Sequence, residues 1–171
     1  RLIEQLLVLA RLDPQQPSPT NVQQGFDLAT PILSIAQQYH YVLKQNRIDL
    51  QLKTPVTELW GNPDQIEILL RNLLDNAIRY AGTDKTIWIN CGLNQQQQPY
   101  LSVEDQGFGI PTDQRDKVFD RFYRLPDAVS TGSGLGLSIV AQIAQLHQAN
   151  INITQGRDQR GTCIMVVFAL T

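Results

Sequence analysis

Cysteine is scarce in this 171-residue chain, which contains only Cys91 and Cys163. Neither belongs to a Cys-x-x-Cys pair, and neither has a neighbouring histidine that would complete a metal-binding set. Both lie in strand-like runs, where a free cysteine behaves as a small hydrophobic residue. The sequence therefore favours two buried, reduced thiols over a metal site, which suits a reducing cytosol.

An excess of positive charge is also lacking. The chain has 14 Lys and Arg residues against 16 Asp and Glu residues, which gives a net charge of −2. This balance creates no field that would attract nucleic acid or an anionic membrane surface. We therefore expect no nucleic-acid partner and no direct membrane contact.

Long apolar runs are absent as well. The longest, at residues 6–10 and 165–170, are far shorter than the roughly 20 residues that a membrane-spanning helix needs. The chain begins at Arg1 without an initiator methionine, and its first residues already have a helical pattern. We expect a soluble, cytoplasmic piece of a longer protein, with any targeting or membrane segment outside it.

Three segments follow one another along the chain. Residues 1–13 have apolar positions at helical spacing and end at Pro14, which predicts the end of a helix whose partner helix is not in this sequence. Residues 14–24 are rich in Pro, Gln, Ser and Asn, as is typical of an interdomain linker. Residues 25–171 are long enough for one folded domain.

The apolar pattern of this domain predicts alternating helices and strands. Asn62 and Pro63 form a strong start signal for a helix that runs to about Ala81. An earlier helix, at about residues 27–46, has a predicted packing side of Ile32, Leu33, Ile35, Ala36, Tyr39, Val42 and Leu43. The remaining predictions are strands at 48–52 and 56–60, a hairpin of 86–93 with 100–104, a short helix after Pro111, a helix ending near His147, and strands at 151–154 and 162–170. Together these elements imply an α/β two-layer sandwich, with a mixed, mostly antiparallel sheet packed on helices.

One predicted helix carries polar residues on a single side. At about 100° per residue, Asn72, Asn76 and Arg79 fall within roughly 60° of arc, opposite the apolar side. Asn amide oxygens are hard, neutral ligands for Mg²⁺, and the Arg79 guanidinium can bind phosphate. Taken alone, the two asparagines are more typical of solvated surface positions.

A second motif follows a predicted strand. Asp105 ends this strand and is followed by Gly107 and Gly109, so a carboxylate lies beside a backbone that can approach a flat ligand closely. Such a carboxylate can accept a hydrogen bond from the amino group of adenine. By itself, the motif is also typical of an ordinary turn.

A third motif is rich in glycine. Gly132, Gly134 and Gly136 precede an apolar helical pattern, which predicts a helix N-terminus whose free N–H groups could bind phosphate. The spacing is not that of a P-loop, and Leu137 stands where a Rossmann motif needs its last glycine. The motifs of eukaryotic-type protein kinases are missing too.

The order of these motifs resembles that of bacterial sensor histidine kinases. LRNLLDNAIRY at 70–80, DQGFG at 105–109, FDRFYR at 119–124 and GSGLGLSIV at 132–140 resemble the N, G1, F and G2 boxes of that family. The resemblance covers about residues 25–171. The short segment between the F and G2 boxes is more narrowly similar to PmrB-like and QseC-like kinases.

The resemblance implies the Bergerat ATP-binding fold, which gyrase, Hsp90 and MutL share, with ATP and Mg²⁺ as cofactors. It assigns Asn76 as the Mg²⁺ ligand with Asn72 beside it, Arg79 and Arg124 to phosphate, and Asp105 to the adenine amine. Tyr80 would line the base or sugar. The other implied nucleotide-binding residues are Gly107, Gly109, Ile110, Gly132, Ser133, Gly134, Leu135, Gly136, Leu137 and Thr162.

Further expectations concern residues around these boxes. Residues 127–134 would form an ATP lid, and Phe119 and Phe122 would anchor its apolar hinge and position Arg124. Where the family often has His-Gly-Gly, this chain has His147 followed by Gln148, Ala149 and Asn150, so we expect Asn150 to take the left-handed conformation at the helix end. His40 and His147 are expected to be structural.

By the same resemblance, this domain would deliver the γ-phosphoryl group of ATP to a histidine on an absent dimerisation domain, of which residues 1–13 would be the end. Its partners would be that domain and the receiver domain of a response regulator. The parent would be a homodimer in the bacterial inner membrane. Two alternatives remain open, an ATP-driven clamp of the gyrase, Hsp90 or MutL class and a non-enzymatic module resembling an anti-sigma factor.

Overall fold

The computed structural model describes residues 2–12, 22–125 and 132–170. Four α-helices lie within these ranges, α1 (Leu2–Arg11), α2 (Ala29–Gln45), α3 (Pro63–Ala81) and α4 (Gly136–Leu146). The strands are β1 (Gln24–Asp27), β2 (Asp49–Lys53), β3 (Glu58–Gly61), β4 (Thr86–Leu93), β5 (Pro99–Glu104), β6 (Asn150–Gln155) and β7 (Thr162–Val167). Short 3₁₀ turns span Thr112–Gln114, Lys117–Phe119 and Arg157–Gln159. Within the described ranges, no helix is both long and apolar enough to cross a membrane.

The main sheet has five strands in the order β2-β4-β5-β7-β6. The β2–β4 pair is parallel and the other three pairs are antiparallel. A separate two-stranded sheet joins β1 to β3. The predicted mixed, mostly antiparallel sheet is confirmed, and so is the predicted hairpin of β4 with β5.

One apolar core lies between the main sheet and the helices. Alternate strand residues such as Ile87, Ile89, Leu101 and Val166 are fully buried there, because successive side chains of a strand point to opposite faces. The helices contribute further buried side chains to the same cluster, including Ile32, Ile35, Ile66, Leu70, Leu73, Leu74, Ile139 and Ile143. The α/β two-layer sandwich predicted from the sequence is therefore confirmed.

The start of α3 is as predicted. The Asn62 side-chain oxygen accepts hydrogen bonds from the backbone N–H groups of Asp64 and Gln65, at 3.0 and 3.2 Å. Pro63 occupies the first helical position, where its missing N–H costs nothing. The helix ends at Ala81, so both of its predicted ends are confirmed.

The predicted packing side of α2 is partly wrong. Ile32, Ile35 and Leu43 are buried, but Leu33 and Val42 are 53% and 38% exposed. The helix packs on α3 and β2 through a narrower stripe than its sequence suggests. Its neighbours, and not its own pattern, determine which apolar residues are covered.

The helix α1 finds part of its partner within this chain. Leu9 and Leu12 are buried against the core, and the side-chain amide of Gln142 on α4 donates to the Leu12 carbonyl at 3.0 Å. The expectation that the partner lies wholly outside the sequence is therefore wrong for this end of α1. Apolar side chains elsewhere on α1 remain exposed, namely Leu2, Ile3, Leu6 and Leu7.

Two other local expectations need correction. Strand β1 was not predicted, and it begins at Gln24, the last residue of the predicted linker; residues 13–21 lie outside the described ranges. The left-handed residue after α4 is Gln148, with φ of 51°, whereas Asn150 begins β6.

Cys91 is buried as expected, Cys163 is only half-buried, and both thiols are free.

His147 has the structural role expected of it. Its Nε2 accepts the backbone N–H of Asn62 at 3.1 Å, and its Nδ1 lies 2.9 Å from the Ile143 carbonyl. Burial lowers the pKa of His147. A neutral ring that donates through Nδ1 and accepts through Nε2 satisfies both contacts, so His147 connects α4 to the start of α3.

Candidate nucleotide-binding site

A cavity of about 600 Å³ opens between α3, the G1 segment and the start of α4. Its volume lies within the range typical of small-molecule sites. Most residues implied by the resemblance line it, namely Asn76, Arg79, Tyr80, Asp105, Gly109, Ile110, Arg124, Gly132, Gly134, Gly136, Leu137 and Thr162. Four separate sequence motifs therefore meet at one cavity.

The polar side of α3 faces the first turn of α4. Asn72 is buried, and its Nδ2 donates to the Ile68 carbonyl at 2.8 Å. A Cβ placed on Gly136 would lie 3.3 Å from Asn72 Oδ1 and 3.6 Å from Asn76 Nδ2. Both amides therefore lie directly against the N-terminus of α4, where only a small residue fits.

Arg79 extends this polar region to the glycine-rich segment. A Cβ on Gly132 would lie only 2.6 Å from Arg79 Nη1, so the guanidinium is in close contact with the backbone there. Leu135, the N-cap of α4, supplies no side-chain bond to the first turn of the helix, and its own N–H donates to the Ser133 hydroxyl oxygen at 3.3 Å. A guanidinium beside an uncapped helix N-terminus provides positive charge and N–H donors, which suits phosphate.

Asp105 lies at another part of the cavity wall. It is 8% exposed, and its Oδ1 accepts the Gly107 N–H at 2.7 Å. Burial raises the pKa of Asp105 to about 6, although backbone N–H groups of Gly107 and Thr162 partly oppose the shift and the Glu104 charge adds to it. The carboxylate is thus held by the backbone in a largely apolar surrounding that includes Val103 and Ile164.

The backbone around Asp105 is packed so closely that glycine is required. A Cβ on Gly107 would lie 2.4 Å from the Tyr80 carbonyl oxygen at the end of α3. Gly161, which sequence reasoning missed, has φ of 69°, and a Cβ there would lie 1.8 Å from the Asp105 carbonyl oxygen. The only available signal for Gly161 was its position directly before Thr162, the first residue of a mostly apolar strand.

The predicted apolar anchor in the F box is wrong for Phe122. Its side chain is 61% exposed and its φ is 64°, while Val118 is the buried residue of this segment. The contact to the glycine-rich segment is made by backbone instead, because the Phe122 N–H donates to the Gly134 carbonyl at 2.9 Å. Arg124 still lines the cavity.

Four implied residues do not line the cavity, namely Asn72 and Gly107, whose contacts are given above, and Ser133 and Leu135. Leu135 is fully buried in the core, and the Ser133 hydroxyl donates to Gln5 Oε1 on α1 at 2.5 Å. Residues 126–131, most of the predicted lid, lie outside the described residues. Sequence reasoning also missed cavity residues with ordinary core or surface patterns, including Leu73, Ala77, Phe108, Gln114, Tyr123 and Leu125.

Comparison with known protein families decides the class of this site. Residues 61–171 match the model of the histidine kinase-, DNA gyrase B- and HSP90-like ATPases. The chain belongs to this ATPase family. The matched part contains all four boxes and the cavity, so the domain is an ATP-binding domain, as the resemblance implied.

Relatives and solved structures narrow the similarity to sensor histidine kinases. The chain is 37% identical over 164 residues to the sensor protein QseC of Escherichia coli O157:H7, covering 91% of this chain and 34% of QseC. It is 37% identical over 133 residues to the histidine-protein kinase ArlS of Staphylococcus aureus (strain USA300), covering 74% of this chain and 29% of ArlS. The chain therefore spans about a third of the length of these relatives.

The solved structures agree in fold. The cytoplasmic segment of the histidine kinase QseC aligns with a TM-score of 0.67 at 26% identity, covering all of this chain and 92% of that one. The Acinetobacter baumannii histidine kinase AdeS aligns with a TM-score of 0.79 at 25% identity, covering 99% and 77%. The resemblance to the ATP-binding domain of sensor histidine kinases is confirmed, including its narrower QseC-like form.

Proposed function

We propose that this ATPase domain is the catalytic domain of a sensor histidine kinase and delivers the γ-phosphoryl group of Mg·ATP to a histidine on its dimerisation domain. One observation carries the proposal. A single cavity brings together a buried carboxylate, Asp105, and a distinct group of amide, guanidinium and helix N-terminal donors. These groups match the two chemically different ends of a nucleoside triphosphate.

The Asp105 region suits a purine. Its carboxylate is held by the Gly107 N–H and lies among apolar side chains, so an adenine ring would be desolvated while its amino group donates to the acid. Tyr80, Ile110 and Thr162 line the same cavity. A hydrogen bond to a charged group contributes about 1.5–3 kcal/mol, enough to select adenine over bases without that donor.

The α3–α4 region suits a triphosphate with its metal. Asn76 would ligate Mg²⁺ through its amide oxygen with Asn72 beside it, because neutral oxygen ligands suit an ion whose charge is already balanced by phosphate. Arg79 and Arg124 would bind phosphate oxygens. When bound, Mg²⁺ neutralises charge that develops on the phosphates during transfer, and the side chains contribute mainly by positioning.

The acceptor histidine belongs to another part of the protein under this proposal. His147 is half-buried in a structural contact, and His40 is an exposed residue on α2 that does not line the cavity. We assign residues 1–13 to the end of the dimerisation hairpin, 14–24 to a linker and 25–171 to the catalytic domain. The exposed apolar residues of α1 support this assignment, because a hairpin needs such a face for its partner helix.

Partners and location follow from the same proposal. The domain acts on its own dimerisation domain, and the phosphoryl group then passes to an aspartate on the receiver domain of a response regulator. The parent protein is a homodimer of the inner membrane with this domain on the cytoplasmic side. The named sensor kinases that match most of the chain favour this function over an ATP-driven clamp or a non-enzymatic module.

Incubation with ATP labelled at the γ-phosphate tests the proposal. This chain alone should bind ATP and acquire no acid-labile phosphate, whereas the gene product extended upstream to include the preceding helical region should acquire it. The Asp105→Asn form of the extended protein is the control and should lose most labelling. Acid-labile phosphate on the isolated chain, or none on the extended protein, would contradict the proposed function.

A further inference from the structure

An ion pair between a buried carboxylate, Glu104, and an exposed guanidinium, Arg157, lies on the face of the sheet opposite the core. Glu104, the last residue of β5, is 6% exposed, and its carboxylate accepts the Arg157 backbone N–H at 2.6 Å and the Arg157 Nε–H at 3.1 Å. The Arg157 guanidinium also lies 4.5 Å from the ring centroid of Trp88, which pairs with Glu104 across the β4–β5 ladder. A carboxylate is seldom buried unless its bonds serve the structure around it.

The segment that Glu104 binds has an unusual backbone. Residues 156–161 connect β6 to β7, and within them Asp158 and Gln159 have φ of 54° and 59°. Two consecutive left-handed residues that are not glycine persist only when neighbouring structure holds them. Glu104 does so at the start of the turn, because both of its bonds go to Arg157.

The same segment encloses the backbone of Asp105. Besides the 1.8 Å approach of a Cβ on Gly161, a Cβ on Gly156 would lie 3.1 Å from the Asp105 carbonyl oxygen. The Asp105 N–H donates to the Thr162 carbonyl at 2.9 Å, directly after the segment. Movement of residues 156–161 would therefore shift the Asp105 backbone and the carboxylate attached to it.

We propose that Glu104 is a positioning residue of the nucleotide site, which fixes the 156–161 segment through Arg157 and thereby orients the Asp105 carboxylate toward the amino group of adenine. The proposal rests on the function proposed above, in which Asp105 recognises that amine. Glu104 itself does not line the cavity, so its effect passes through the backbone. A fold-stabilising ion pair alone would affect all nucleotides equally.

The test compares ATP with purine riboside triphosphate, which lacks the 6-amino group, by calorimetric titration in Mg²⁺. Glu104→Gln should weaken ATP affinity about five- to tenfold, which is less than the loss expected if the whole hydrogen bond to the charged acceptor were removed. The affinity for the deaminated nucleotide should stay unchanged. In an Asp105→Asn background, Glu104→Gln should add no further loss. Arg157→Ala should also weaken ATP affinity, to a smaller extent, and leave the affinity for the deaminated nucleotide unchanged, and it replaces Glu104→Gln if that variant fails to fold.

The matched control is Asp84→Asn, the same carboxylate-to-amide change at the exposed Arg47–Asp84 pair, whose two side chains do not line the cavity. It should alter neither affinity. Equal weakening of both nucleotides by Glu104→Gln, no weakening, or additive losses with Asp105→Asn would overturn the positioning role. A wild-type protein that does not prefer ATP to the deaminated nucleotide would instead overturn the proposed role of Asp105.

Discussion

At the scale of single residues, Asp105 is subject to two opposing influences on its charge. It is nearly buried, which disfavours its charge, and it is bound by backbone N–H groups, which favour the charge. Burial is the larger effect, so the pKa of the carboxyl rises to about 6. The acid is therefore ionised at neutral pH but titrates just below it.

This titration predicts a pH dependence of nucleotide binding. Under the proposed function, the adenine amine would donate to the ionised acid, so a proton on Asp105 would compete with the nucleotide. We expect ATP affinity to fall progressively as the pH is lowered through about 6, the pKa of this carboxyl. Calorimetric titrations with ATP from pH 8 to 5 measure this change in affinity.

The nucleotide phosphates also titrate near pH 6 and contribute to the pH dependence of binding. The same titrations on Asp105→Asn measure this phosphate contribution, so that it can be subtracted. The variant should retain only the phosphate contribution. If wild-type and variant showed parallel pH profiles, Asp105 would not be the titrating group that binds adenine.

Asn76 gives a second prediction at this scale. Asn76→Asp places a negative charge beside the expected phosphate position, so ATP should bind about tenfold more weakly in EDTA and recover when Mg²⁺ is added. Asn152→Asp, on the exposed side of β6, adds the same charge away from the cavity. Equal Mg²⁺ dependence in the wild-type, Asn76→Asp and Asn152→Asp proteins would contradict the proposed metal ligand.

At the scale of elements, α3 contributes both to the core and to the site. It begins at a cap that the sequence specifies, buries one side in the core, and presents Asn72 and Asn76 to the start of α4 and Arg79 to Gly132. The residues of α3 that stabilise the fold and those that face the site are different. Substitutions at the first group should therefore change stability, and substitutions at the second should change nucleotide binding.

The cap of α3 provides the corresponding prediction. Asn62→Ala removes the acceptor for two N–H groups and should lower the free energy of unfolding by about 1 kcal/mol, within a range of roughly 0.5–2. Urea denaturation measures the change, and Asn152→Ala at an exposed strand position is the control. A loss no greater than that of the control would show that the cap does not stabilise the helix.

Elements with strong local signals were predictable from sequence, and contacts set by other parts of the chain were not. The Asn-Pro start of α3, the β4–β5 hairpin and the glycine-led α4 follow from nearby residues. Strand β1 has almost no apolar pattern and depends on its pairing with β3. The exposure of Phe122 could not be foreseen, because the backbone of that residue, and not its ring, contacts Gly134.

The same division applies within the site. Asn76, Asp105 and the glycines belong to motifs whose order identifies them, and the structure brings them to one cavity. Gly161 and Glu104 belong to no motif, since their importance arises only when β5, β7 and the 156–161 segment come together. Tertiary packing, which a single sequence does not display, supplies this part of the site.

At the scale of the whole molecule, a two-layer fold gathers four distant motifs around a cavity of about 600 Å³. Under the proposed function, the helices would supply the polar groups for phosphate and metal, and the carboxylate held between the ends of β5 and β7 would bind the base. Any nucleotide that fills the cavity must contact both layers. ATP should therefore also stabilise the fold, by about 2.7 kcal/mol at 100 times its dissociation constant.

Calorimetric titration of the chain with ATP in Mg²⁺, alongside its Asp105→Asn variant, tests the central claim most directly. The wild-type protein should bind one ATP per chain with saturation. The variant should bind about 10- to 150-fold more weakly, the loss expected for one hydrogen bond to a charged group. No saturable binding to the wild-type chain, or equal affinity in the two proteins, would contradict the account.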